Sequence, residues 1–192
     1  MTQQQFDENY FYGQVYTNYD GFNDWPGMAE DLCRDYSFTS FLDIGCGCGN
    51  LINELRLLLA KQGKTAVDIA GIDVSPYAVA KVNKPYIIEG DCRTLPYVDQ
   101  RFQIVYIMGT YAYLDNEEEI LKAIAEAYRV CKEIIIFEDV YSAPEVGTED
   151  YDPYRKLVLS QADWQRLWQK VIKPNDTINW RGDELIIHKQ YA

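Results

Sequence analysis

Three aspartates, Asp43 in FLDIG, Asp73 in GIDVS and Asp91 in EGDC, each stand where a short apolar run ends. Directly after the first of them Gly45, Gly47 and Gly49 alternate with other residues. A carboxylate at the end of a buried strand places a negative charge and hydrogen-bond acceptors where an α/β sheet presents its ligands. Alternate glycines remove side chains from a turn, so a ligand can lie against the backbone and the amides opening the next helix favour its anionic end.

The spacing narrows the ligand. A dinucleotide fingerprint GxGxxG anchored at Gly45 and Gly47 would place its third glycine where the chain has Asn50; glycine comes one place early, at Gly49. Asp43 suits a positively charged group and opposes a pyrophosphate, so the ligand should carry an ammonium. Asp73 is placed to accept both hydroxyls of a ribose. Asp91 could accept from an exocyclic adenine amine while the Cys92 amide meets a ring nitrogen. Ammonium, ribose and adenine together describe S-adenosylmethionine (SAM).

At these residues the chain resembles the class I SAM-dependent methyltransferases, through LDIGCGCG, GIDVSPYAV, GDCRTLPY and FQIVYIMGTYAYL, over roughly Phe41 to Asp139. The resemblance implies a Rossmann-like methyltransferase fold with SAM as cofactor. It assigns the methionine end to Asp43 and to the turn Gly45, Cys46, Gly47 and Gly49. It gives the ribose to Asp73, the adenine face to Val74, the adenine edge to Asp91 and Cys92, and the neighbourhood of the sulfonium to Met108. Two positions depart from related small-molecule enzymes: Gln103 where Asp often follows Phe, and Ala112 in GTYAYL where histidine is frequent. The second removes a possible base. No Asn-Pro-Pro-Tyr follows the fourth strand, which argues against amino-methylation of nucleic-acid bases.

The elements that must hold these residues alternate. Ser40 to Gly45, Val67 to Val74, Tyr86 to Glu89, Phe102 to Met108 and Glu133 to Phe137 read as strands. The fourth of them is an uninterrupted apolar and aromatic run suited to the centre of a parallel sheet. Helices are expected after Trp25-Pro26, over Asn50 to Lys61, from Ser75-Pro76, from Glu117 with apolar spacing running to Cys131, and over Ala162 to Val171 behind Ser160. A hairpin turning at Arg181-Gly182-Asp183 closes the chain. The expected fold is a doubly wound, mostly parallel seven-stranded sheet with a C-terminal antiparallel hairpin, forming a single domain over residues 1–192.

Composition bounds the function. The 192 residues carry a net charge of −12 with 18 scattered Lys and Arg, so neither nucleic acid nor an anionic membrane surface is an expected partner. Five cysteines without a paired CxxC pattern, no basic-then-apolar leader and no membrane-length apolar run lead to the expectation of a cytoplasmic protein with reduced thiols. Residues 1–36 hold an aromatic-rich stretch, ENYFYGQVYTNYDGF, expected to form a helical lid over the cofactor. Tyr141, Tyr151 and Tyr154 are expected on the same rim.

Catalytic candidates are Tyr16 and Tyr19 in the lid, Tyr111 in GTYAYL, and Glu138 at the end of the fifth strand. No metal is expected, because Met108-Gly109 rather than a carboxylate ends the fourth strand and Glu138-Asp139 alone is an incomplete site. The single histidine, His188, lies in the final hairpin, where a structural role outweighs a catalytic one. The reading is a metal-independent methyltransferase acting on an O or N atom of a small molecule or short peptide. Methylation of a peptide or protein, and SAM binding without catalysis by a partner or sensor, stand as alternatives.

Overall fold

The computed structural model describes residues 5–13, 15–142, 144, 146 and 151–190. Its centre is a seven-stranded sheet of β1 (Ser40–Ile44), β2 (Asp68–Asp73), β3 (Ile87–Glu89), β4 (Phe102–Met108), β5 (Cys131–Glu138), β6 (Thr177–Arg181) and β7 (Glu184–His188). The spatial order is β3-β2-β1-β4-β5-β7-β6. The first five strands are parallel, and β7 runs antiparallel to both β5 and β6. The strand order reverses between β1 and β4, which opens a crevice at their carboxyl ends. This is the doubly wound sheet with a C-terminal hairpin expected above.

Period-two alternation divides the core between the two faces. Phe41, Ile104 and Tyr106 pack under α2 (Trp25–Asp35) and α3 (Asn50–Lys61), whereas Leu42, Val105 and Ile107 pack under α5 (Glu117–Val130) and α6 (Gln161–Gln169). The helices are set by local signals. Asp24 accepts from the Gly27 amide and Pro26 occupies the first turn of α2; Ser75 caps α4 (Pro76–Val82) at the Ala78 amide; Asn116 caps α5 at the Glu119 amide. A third apolar cluster, containing Phe6, Tyr10 and Phe11 of the N-terminal segment with Cys48, Ala78 and Tyr113, lies apart from the two sheet layers.

Two boundaries move. The apolar spacing of α5 does not extend to Cys131: the helix ends at Val130, and Cys131 turns to extended geometry (φ −76°, ψ 135°) and opens β5 before the expected Glu133. Its buried side chain satisfied the helical period only because a strand leaving the same core edge also buries its first residue. The hairpin turns on Gly182-Asp183 alone, with Gly182 at φ +61°. In that hairpin His188 pairs with Ile134, midway along β5 and away from its carboxyl end at Glu138.

Candidate active site

The site is built on the turn between β1 and α3. The Gly45 amide donates to Ile72 O at 2.8 Å, and the Gly47 amide donates to Oδ2 of Asp73 at 2.7 Å. Oδ1 of Asp73 accepts from the Ser75 amide at 2.8 Å, so one carboxylate joins the glycine turn to the start of α4. Each of its oxygens keeps a second lone pair for a ligand hydroxyl. At Gly47 (φ +52°) a side chain would run into the ring of Tyr19, which lies directly over the turn.

A cavity of about 460 Å³ opens above this turn. Gly45, Gly47, Asp73, Val74, Asp91 and Cys92 line one side. Met108, Gly109, Thr110 and Glu138 line it at the ends of β4 and β5. Phe6, Tyr10, Phe11, Tyr16, Tyr19 and Phe22 come to it from the N-terminal segment. These rings meet edge to face, for example Phe11–Tyr19 at 4.8 Å and Tyr16–Phe22 at 4.6 Å between centroids, which presents aromatic surface to the cavity.

Two bonds fasten that segment. The hydroxyls of Tyr10 and Tyr113 both donate to Oδ2 of Asp152, at 3.0 and 2.6 Å, which links the N-terminal helix α1 (Glu8–Tyr12) to the segment after β5. Asp139 accepts from the amides of Tyr111 and Ala112, each at 3.1 Å, and so holds the short turn that presents Tyr113. Arg155 also reaches the cavity. Sequence patterns gave no hint of Asn23, Asp152 or Arg155, which lie in irregular segments; of the strand-end pair Glu138-Asp139, Asp139 is taken up by backbone amides.

Electrostatically the site is dominated by buried acids. Asp43 is 6% exposed, and among the described residues its carboxylate makes no hydrogen bond. Burial first, and the charge of Asp73 second, push its pKa up to about 8. Burial also raises Asp73, but the Ser75 and Gly47 amides oppose that rise, so of the pair Asp43 is the one that takes the proton. Burial, then the charges of Glu184 and Asp183, raises Glu138.

Several expected site residues stand away from the cavity wall or are engaged elsewhere. Asp43 is not on the cavity wall; it stands in the layer behind it, within electrostatic reach of Tyr19 and Tyr106. Cys46 turns away into the layer between the sheet and α3, where its sulfur lies against Gly71, because the flanking glycines rotate its side chain to the far side of the turn. Gly49 serves packing: a Cβ there would collide with Ile87 of β3, and it starts α3 at φ +69°. Tyr111 is fully buried and its hydroxyl donates to Ala123 O at 3.1 Å, which removes it from the catalytic candidates.

Asp91 reaches the cavity, but Arg93 already binds both of its oxygens and holds its pKa below the ordinary value. On the rim, the Tyr141 hydroxyl is turned to the hairpin at Asp183, and Tyr154 packs on Tyr10.

The residues present fit SAM. The glycine turn brings bare backbone to the cavity wall with Tyr19 directly over it, Asp73 retains two acceptor positions, Val74 and Cys92 offer apolar surface, and Asp73 and Glu138 put carboxylates on the wall. When bound, that cofactor supplies a methyl group already activated on a sulfonium.

Residues 41–133 match the family model described as a methyltransferase domain. The chain is 23% identical over 125 residues to the sterol 4-C-methyltransferase strm-1 of Caenorhabditis elegans, covering 60% of this chain and 34% of that protein. It is 28% identical over 114 residues to the 2-phytyl-1,4-naphtoquinone methyltransferase of Thermosynechococcus vestitus, covering 55% of this chain and 47% of that one. The chain thus spans about a third to a half of the length of these two curated relatives. Its fold is shared with a SAM-dependent methyltransferase from Aquifex aeolicus at a TM-score of 0.60 and 14% identity, over 97% of this chain and 94% of that one. The methyltransferase-domain match over residues 41–133, with the glycine turn, the strand-end acids and this sheet order in one molecule, supports a class I SAM-dependent methyltransferase.

Proposed function

We propose that this protein transfers the methyl group of SAM to an oxygen or nitrogen of a small organic acceptor, without a metal ion. The observation that carries the reading is the single cavity into which the glycine turn, Asp73 and Glu138 all open beneath an aromatic cover. Asp73 would hold the ribose, Val74 and Cys92 the adenine, and the backbone at Gly45 and Gly47 the methionine end. Asp43, behind the wall, holds a proton when no cation is near and would release it when an ammonium arrives, its negative charge then favouring that end of the cofactor.

Met108 at the end of β4 marks the reacting end, with Glu138 beside it in register on β5. Displacement at an activated sulfonium requires alignment and exclusion of water more than strong acid–base chemistry. The aromatic cover serves both needs. Freedom from metal is supported by the residues ending β4, Met108, Gly109 and Thr110, none of which is a carboxylate, and among the described residues no three metal-ligating side chains gather.

The aromatic cover over the cavity favours a compact acceptor over an extended chain. Transfer of radiolabelled methyl from SAM to a panel of phenols, carboxylic acids and amines in the presence of a chelator tests the reading. Labelled product from at least one class, at a rate unchanged by the chelator, is expected. SAM binding without transfer to any class, or transfer only to a folded protein, would contradict it.

A further inference from the structure

A second cavity, of about 470 Å³, lies on the α2 side of the sheet and shares Asn23, Met108 and Glu138 with the first. Met28, Leu32 and Tyr106 give it an apolar interior, and Asp31, Arg34, Asp35, Arg181 and Glu184 surround them. Those charges are paired among themselves, three acids sharing two arginines. Arg34 pairs with Asp31 and, at 2.9 Å, with Asp35; Arg181 pairs with Asp35 and with Glu184, both at 2.7 Å.

Glu138 is different. It stands at the junction of the two cavities, and among the described residues no cation or hydrogen-bond donor meets its carboxylate. The charges that bear on it, Glu184 and Asp183, are also acids. A half-buried carboxylate facing other acids across an apolar space is stabilised by a cation brought in by a ligand.

We propose that this second cavity is the acceptor site and that Glu138 anchors a small primary or secondary amine carried on an apolar or aromatic body. The inference rests on the methyltransferase reading, which places the reacting end at Met108. The ammonium form of the ligand is attracted to Glu138, and one N–H proton passes to the carboxylate. The N–H bond breaks, an O–H bond forms, and the nitrogen keeps the electron pair it needs as a nucleophile. The proton then leaves Glu138 for water. The mouth admits the ligand without competing for its ammonium, because each of its acids already has an arginine.

The test uses calorimetry on the full chain saturated with S-adenosylhomocysteine. The probes are benzylamine, its neutral isostere benzyl alcohol, and benzoate. Benzylamine is expected to bind about tenfold or more tightly than benzyl alcohol, the scale of one charge-assisted bond, with benzoate weakest. Glu138→Gln should bring the two isosteres to similar affinity. Met28→Trp, which enlarges a side chain of the apolar interior, should weaken both.

Neither substitution should change the affinity for S-adenosylhomocysteine. Equal binding of the isosteres to the wild type, or a preference for benzylamine that survives Glu138→Gln, overturns the proposal. So does a Glu138→Gln protein that loses affinity for SAM but not for S-adenosylhomocysteine, since Glu138 would then serve the sulfonium. Failure of the wild type to bind S-adenosylhomocysteine would instead remove the reading on which the proposal rests.

Discussion

The amide of Gly47 donates a 2.7 Å hydrogen bond to Oδ2 of Asp73, fastening the turn after β1 to the end of β2. This bond couples two features that look independent in the sequence, a glycine-rich turn and a strand-end acid. Removing the carboxylate therefore affects the shape of the turn as well as a ligand hydroxyl. Asp73→Asn, which keeps one acceptor oxygen, should weaken SAM binding by about 1–3 kcal/mol, and Asp73→Ala should cost more. Equal losses in calorimetry would mean that the turn does not depend on this bond.

The glycines separate by role. Gly47→Val should abolish SAM binding, because its side chain would drive into the Tyr19 ring over the turn, in a left-handed backbone that a β-branched residue resists. Gly49→Ala should instead lower stability by about 1–3 kcal/mol, since it forces a Cβ against Ile87 in a left-handed backbone. The folded fraction should bind SAM normally. Denaturant melts paired with calorimetry distinguish the two, and the opposite pattern would reverse the assignment.

Asp43 makes stability depend on pH. Burial and the charge of Asp73 raise its carboxyl from an ordinary 3.8 to about 8. The folded state therefore binds a proton that the unfolded state releases across this window. Its contribution is present below about pH 4 and is lost progressively as pH rises towards about 8. In the absence of ligand, Asp43→Asn should flatten the fall in melting temperature between those limits. It should also make SAM affinity lower and less dependent on pH. A melting curve with the same pH slope in wild type and variant would refute the assignment.

Tyr111 supplies a control. Tyr111→Phe removes the hydroxyl that donates to Ala123 O in the core, and should destabilise by about 1–2 kcal/mol. Methyl transfer by the folded protein should be unchanged. A large loss of turnover without loss of stability would restore Tyr111 to the catalytic candidates.

Asp152 tests the cover. Asp152→Ala leaves the Tyr10 and Tyr113 hydroxyls without their shared acceptor and should loosen the N-terminal segment. Faster hydrogen exchange over α1 and a faster dissociation of S-adenosylhomocysteine are expected, with exchange in β1 and β4 unchanged. Unaltered exchange in α1 would show that ring packing alone holds the cover.

Much of this architecture was legible because it rests on periodic signals. β4 is buried almost throughout, and the alternation of strand and helix up to β5 reproduces the sheet that was expected. Asp73 and Gly47 were legible because strand ends and glycine turns have a fixed place in such sheets. The direction of a side chain inside a turn was not. Whether Cys46 faces the cavity or Gly71 depends on the signs of φ at its neighbours, and whether Gly49 admits a ligand depends on Ile87, distant in sequence. Asn23, Asp152 and Arg155 reach the cavity region through irregular segments whose course follows from tertiary packing, with no repeat to announce it.

The central claim is that the cavity over the Gly47–Asp73 turn holds SAM, and titration calorimetry on the purified chain tests it most directly. Both SAM and S-adenosylhomocysteine should bind with one-to-one stoichiometry, with no metal added, and Gly47→Val should eliminate the heat of both while remaining folded. Binding of NADH with no binding of either form of the methyl donor would contradict the account.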